Sequence, residues 1–156
     1  MPVRMRFSMK TEYGVRAVLE LAGNAGRGAL QSSEIARRQG IPGPFLDQVL
    51  MILRRAGFVT STRGPHGGHE LARGPEEIRL DQVIACLEGD GAKSRQADTG
   101  ETGDSRVLAQ VTEKAEQAAR DVFSSHTLAD CLRLRKVEPR VFHGIFHAVP
   151  AKPKGA

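Results

Sequence analysis

Asp47 and Gln48 stand side by side one helical turn after Pro44-Phe45, and the pair Arg54-Arg55 follows them. A further arginine, Arg63, opens the segment Arg63-Gly64-Pro65-His66-Gly67-Gly68. Together these residues offer amide and guanidinium donors without a nucleophile and base at a working spacing. Such groups recognise a polyanion with readable edges. Gln48 can hold the N7 and N6 edge of an adenine with two hydrogen bonds. Arg63 can enter a narrow minor groove, where the negative potential is enhanced. Arg54 and Arg55, later in the same stretch, suit phosphate or solvent better than base edges.

Presenting those groups requires a helix followed by a hairpin. Phe45, Val49, Ile52 and Leu53 recur at helical spacing, which predicts one apolar stripe and turns Asp47, Gln48, Arg54 and Arg55 outward. Gly57 ends that helix, and two short strands follow, joined by the glycine-rich tip at 63–68. Upstream, a first helix from near Ser8 to Ala22 places Tyr13, Ala17, Val18 and Leu21 on its buried side, with Gly23 at its stop. Leu30 is placed to start a short strand. Ser32 or Ser33 caps a second helix with Ile35 and Ala36 inward and Arg37 and Arg38 outward, and Gly40 ends it. In Ile41-Pro42-Gly43-Pro44 the prolines fix φ and bar helix until about Pro44. The expected fold is mainly α with a small β wing, a winged helix-turn-helix.

Beyond the wing, residues 74–77 form a turn and Asp81 is an N-cap for a helix over 82–87. Residues 89–104 are polar and small, a flexible loop. From Ser105, Val107, Val111, Ala115, Ala118 and Val122 line one side of a helix about five turns long. That stripe needs an apolar partner, either the same helix of a second subunit or its own domain. Thr127 caps a short helix, Val141, Phe142, Ile145, Phe146 and Val149 follow, and residues 150–156 are expected to be disordered. The expected organisation is a DNA-binding domain at 1–88, a loop at 89–104, a candidate dimerisation helix with a C-terminal helical segment at 105–149, and a tail at 150–156.

With 156 residues, 40% apolar and 26% charged, the chain has material for one core and an appended element. No apolar run approaches the roughly 18 residues of a membrane span. The basic start at 1–7 lacks the apolar centre of a secretory signal, so a cytoplasmic location is expected. Residues 1–80 hold 12 Lys and Arg against 7 Asp and Glu, while residues 81–156 hold 11 of each. The whole excess of positive charge therefore lies with the helix-turn-helix pattern, where it favours a phosphate backbone.

The remaining reactive groups are sparse. Cys86 and Cys131 lack CxxC spacing, and reduced thiols are expected. Cys86, beside Val83 and Ile84, is expected in the core, and Cys131 is expected to be partly accessible. Either is a candidate redox switch, although no cationic cluster flanks them to depress a thiol pKa. His143 and His147 share a helix face at a metal-compatible spacing, but no carboxylate or cysteine accompanies them. Residues 64–68 lack the GK[ST] ending of a phosphate loop. No metal set and no cofactor loop emerge, so an enzyme is not expected.

Several of these segments together resemble the Rrf-type family of bacterial winged-helix transcription regulators, the IscR/NsrR/CymR-like proteins. The resemblance runs from about Met5 to Leu134. It is carried by Tyr13-Gly14-Val15-Arg16-Ala17, Gln39-Gly40-Ile41, Leu46 with Gln48, Leu53-Arg54, Gly57-Phe58-Val59, and Arg63-Gly64-Pro65-His66-Gly67-Gly68. Asp81-Gln82-Val83-Ile84 and Thr127-Leu128-Ala129-Asp130 follow at the family's spacing. The resemblance implies a homodimeric regulator, a repressor, on a partly palindromic double-stranded DNA operator, with one helix in a major groove and one wing beside a minor groove. The matching positions are Pro44, Phe45, Asp47, Gln48, Arg63, Gly64, His66 and Gly67. Some relatives also associate with metabolic enzymes, which leaves a protein-interaction module as the alternative. Cluster-binding relatives carry three close cysteines between the wing domain and the long helix. Here residues 89–106 hold no cysteine and no histidine. Glu12 sits where some relatives contribute an acidic ligand. His69 replaces the aromatic residue usual after the paired glycines. The expectation is a member without an iron-sulfur cluster or other cofactor, an atypical sensor built on Cys86 and Cys131 being the alternative.

Overall fold

The computed structural model describes residues 5–89 and 103–137. Its elements are, in chain order, α1 (Met9–Gly23), α2 (Ser32–Gln39), α3 (Gly43–Arg55), β1 (Val59–Thr62), β2 (Gly68–Leu71), α4 (Leu80–Glu88), α5 (Gly103–Ser124) and α6 (Leu128–Val137). The strands pair antiparallel, from Val59 opposite Leu71 to Thr62 opposite Gly68. Helices dominate and the hairpin forms a wing behind α3, the architecture expected from the sequence. No helix among the described residues is long and apolar enough to cross a membrane.

Local chemistry accounts for most boundaries. The Ser8 hydroxyl accepts the Thr11 N–H at 3.2 Å and caps α1. Gly40 ends α2 in the left-handed region, φ 61°, and Gly57, φ 80°, turns the chain from α3 into β1. One core gathers Ala17, Val18 and Leu21 of α1, Ile35 of α2, Leu46, Val49, Leu50 and Leu53 of α3, Val59 of β1 and Val83 and Leu87 of α4. Leu128 and Cys131 of α6 belong to the same core. Where α4 crosses α1, a Cβ on Gly14 would overlap the Leu87 side chain, so glycine permits the close approach.

Several expectations are corrected. Phe45 does not join the buried stripe of α3: it is 49% exposed, and Leu46, Val49, Leu50 and Leu53 take the inward positions, with Ile52 half-buried. Those four follow the i, i+3, i+4, i+7 rule against α1 and α4, and Phe45 falls one residue off that line. Tyr13 is half-buried for a related reason, since its ring lies edge-on to Phe45 at 6.0 Å at the rim of the α1–α3 contact.

Neither Ser32 nor Ser33 caps α2. Leu30 exchanges two backbone hydrogen bonds with His69, at 2.9 and 2.7 Å, which holds the chain extended through Gln31, and Gln31 becomes the N-cap. Asp81 is likewise not a cap. A bridge between Arg79 and Thr127 keeps Arg79 extended, α4 begins at Leu80, and Asp81 lies inside the first turn, 3.0 Å from the Arg79 guanidinium.

The two cysteines exchange their expected environments. Cys131 is 5% exposed because α6 packs back on α1, whereas Cys86 is half-buried because Val83 and Leu87 occupy the inward positions of α4. Helix α5 begins at Gly103, so Gly103 and Asp104 are helical and not loop. It buries no residue, and Val107, Val111, Ala115, Ala118 and Val122 are all exposed. The remaining loop over 90–102, the histidines His143 and His147, the apolar positions 141–149 and the tail at 150–156 lie outside the described residues.

Candidate nucleic-acid interface

The burial of Leu46, Val49, Leu50 and Leu53 decides what α3 presents. Opposite them, Pro44, Gln48, Met51 and Arg55 follow one another at i+4 and i+3 spacing and form the centre line of the outward face, all exposed. Asp47 and Arg54 border that line on the wing side, where both act electrostatically on His69. Phe45 and Ile52 border it on the other side, where Phe45 meets Tyr13. The Arg16 guanidinium stands 5.8 Å from the Tyr13 ring centroid, so this edge carries a cation over an aromatic pair.

The wing stands beside this face. Arg63, Gly64, Pro65 and His66 are exposed at its tip. The tip is closed by the Gly67 N–H, which donates to the Gly64 carbonyl at 2.9 Å. Gly67 is buried, and a Cβ on it would overlap the Thr62 carbonyl, so its part is to let the hairpin close. Gly68, at φ 149°, lies against Leu30, and a Cβ there would overlap the Leu30 carbonyl. His69 then joins the wing to the helices. Its backbone pairs with Leu30, and its Nδ1 stands 2.9 Å from Ser61 Oγ. Burial lowers the His69 pKa against the opposing pull of Asp47, which favours the neutral imidazole.

Charge is distributed unevenly over the arginines. Arg37 and Arg38 both bond to Glu34, with guanidinium nitrogens at 2.6 to 3.0 Å, and Arg38 also reaches Glu20 at 3.0 Å. These bonds hold the Glu34 carboxyl at about 2, and the charge of α2 is largely neutralised in place. Arg54, Arg55 and Arg63 have no ion pair among the described residues and remain open to an anionic partner.

The structure thus brings Pro44, Asp47, Gln48, Arg54 and Arg55 onto one exposed helix and sets Arg63, Gly64 and His66 on the adjacent wing. Phe45 lies at the border. Met51, also exposed on this face, is not among the residues that the sequence singles out, although its i+3 spacing from Gln48 sets the two side by side on any helix.

The thiols fit poorly as metal ligands. Burial pushes the Cys86 thiol up, and burial with the neighbouring Asp130 does the same to Cys131, so both favour the protonated form. Among the described residues no three His, Cys, Asp or Glu side chains gather as a metal site. Glu12 is half-buried, with its carboxylate 4.0 Å from the Arg16 guanidinium.

Comparison with known proteins gives this arrangement a context. A Mycobacterium tuberculosis protein named as a helix-turn-helix transcriptional regulator is 38% identical over 129 residues, which cover 81% of this chain and 80% of that one. A Synechocystis regulator is 45% identical over 84 residues, 54% of this chain, and the match spans only 57% of that relative. Among solved structures, T. potens IscR has a TM-score of 0.71 at 38% identity, covering 86% of this chain and 90% of that one. CymR, the global cysteine regulator of B. subtilis, has a TM-score of 0.71 at 29% identity, covering 82% of this chain and 96% of that one. With its residues 7–133 matching the model of the family described as iron-dependent transcriptional regulators, the chain belongs to the Rrf2 family.

Proposed function

We propose that the protein is a sequence-specific DNA-binding transcription regulator of the cytoplasm, a homodimeric repressor that sets α3 of each subunit in a major groove and its wing beside the adjoining minor groove. The observation that carries this reading is the unpaired polar face of α3, with Gln48 at its centre, standing beside a wing whose exposed tip holds Arg63. In this reading residues 1–88 bind DNA, residues 105–149 dimerise, and 89–104 join them. Gln48 reads a base. Pro44, Phe45 and Asp47 flank it, Arg54 and Arg55 hold phosphates or lie against the groove wall, and Arg63, Gly64 and His66 follow the minor groove over the support of Gly67.

A duplex selected from a random pool by the wild-type chain provides the test. Gln48→Ala should weaken that preferred site by about 1 to 3 kcal/mol and leave random DNA almost unchanged, because only the base contact is sequence-dependent. Equal losses on both duplexes would reduce Gln48 to a backbone contact. Absence of any enriched sequence, with no loss of binding as salt rises, would favour a module that docks on another protein.

Iron chemistry is implied by the family's description, and the donors of this chain do not fit a cluster. Iron-sulfur clusters are held by thiolates, in some cases with imidazoles. Only two cysteines exist in the sequence, and residues 89–106, where cluster-binding relatives carry three, hold none. We therefore read the protein as a regulator that binds its operator without a cluster. Anaerobic purification from iron-replete cells should yield a colourless protein that still binds the selected duplex. A brown preparation that loses iron and colour on Cys86→Ser and Cys131→Ser would overturn this and identify an atypical redox sensor.

A further inference from the structure

We propose that Met51 is a base-reading residue that selects thymine through its 5-methyl group, on a base pair next to the one held by Gln48; this rests on α3 lying in a major groove. Met51 is the ninth residue of α3 and stands on the centre line of its outward face, between Gln48 one turn before it and Arg55 one turn after. It is 40% exposed, a large apolar side chain between polar ones on the most solvent-facing line of the helix.

Entry into a groove removes the water around it. The major-groove edges are donors and acceptors, with one apolar exception, the methyl group of thymine. A thioether chain gains little against O6, N7 or N4 and strips water from them, whereas against a methyl group it buries apolar surface on both sides. Methionine is also unbranched and adaptable, so it can follow the methyl without a fixed approach angle.

The spacing agrees. Three residues of helix advance roughly 4.5 Å, close to the rise of about 3.4 Å per base pair. Gln48 and Met51 therefore meet neighbouring pairs. The arrangement is asymmetric, since the wing-side border carries Asp47 and Arg54 while the other border carries Phe45, which leaves Met51 as the central apolar group.

Deoxyuridine differs from thymidine in the base only by that methyl group, which makes the test specific. Each thymine of the selected duplex is replaced singly by deoxyuridine, and binding of the full chain is followed by fluorescence anisotropy. Wild type should lose about 3- to 10-fold at one thymine in each half-site, the loss expected for one methyl-sized apolar contact. Met51→Ala should lose about as much on the unsubstituted duplex and become indifferent to deoxyuridine at that position, while Met51→Leu keeps the sensitivity. Because Met51 lies outside the core, its thermal midpoint should stay within a few degrees of wild type. Indifference of wild type to every deoxyuridine, or unchanged sensitivity in Met51→Ala, would overturn the assignment. Failure of the underlying reading looks different: the wild-type chain would enrich no duplex at all.

Discussion

Replacing Val111 and Val122 together by glutamate is expected to leave the protein monomeric at low micromolar concentration and to weaken its operator binding by about two orders of magnitude. Both valines are well exposed in the single chain, at 59% and 57%, and α5 has no buried residue along its 22 positions. A helix of that length extends roughly 33 Å, too long an apolar edge to leave in water without a partner. The edge runs on into an apolar cavity of about 200 Å³ between α1, α4, α5 and α6, with Phe7, Val122, Phe123 and Leu134 in its wall. A second copy crossing α5 would cover the stripe and the mouth of that cavity together. Two glutamates there would have to lose hydration without gaining a partner, a cost of several kcal/mol. The loss in DNA affinity follows from valency, because two linked half-site contacts exceed either alone by about 10² to 10⁴. Sedimentation velocity checks the first step and anisotropy the second. A double variant that still sediments as a dimer would move the interface away from α5.

A second large effect is expected from Gly68→Ala. Two penalties coincide at this position. The backbone has φ 149°, a region that L side chains rarely adopt, and an added Cβ would overlap the Leu30 carbonyl and stand 2.9 Å from the Gln31 nitrogen. Strain of about 1 to 3 kcal/mol and overpacking of similar size, roughly 1 to 3 kcal/mol, together predict a loss of a few kcal/mol and a melting midpoint lowered by about 10 °C or more. The damage has a direction, since the methyl group would push β2 away from Leu30, break the His69–Leu30 pair and release the wing from α3. Operator binding should therefore fall more than the unfolding of the domain explains, even at a temperature where the variant remains folded. Gly64→Ala is the control for stability: its φ of 113° imposes similar backbone strain, but no atom beyond its chain neighbours lies within 4 Å of the added Cβ. If the two variants melt alike, the close approach to Leu30 is not what fixes the wing.

Much of the fold was legible in the residues themselves. Gly40, Gly57 and the prolines of Ile41-Pro42-Gly43-Pro44 each act on their own backbone, so the helix, turn, helix and hairpin order could be read without any partner. The exposure of Asp47, Gln48, Arg54, Arg55 and Arg63 was legible too, since charged and amide groups have little to gain in an apolar core. Periodicity placed Ala17, Val18, Leu21, Val49 and Leu53 inside.

What the residues left open were the choices that depend on a neighbour. Periodicity locates an apolar stripe to within about one position, and only the packing of α3 against α1 and α4 chose Leu46 and Leu50 over Phe45, which in turn brought Gln48 and Arg55 from the edge towards the centre of the outward face. Ser32 and Asp81 looked like caps because their side chains can accept backbone hydrogen bonds. The bridges from Leu30 to His69 and from Arg79 to Thr127 decided where α2 and α4 begin, and each joins residues distant in sequence. Cys86 and Cys131 differ little in local sequence, and it was the return of α6 onto α1 that buried Cys131 and left Cys86 at the margin. Short-range preferences are properties of a few bonded residues and can be read along the chain, whereas the face that a helix hides, and therefore the face it leaves exposed, is set by what packs against it.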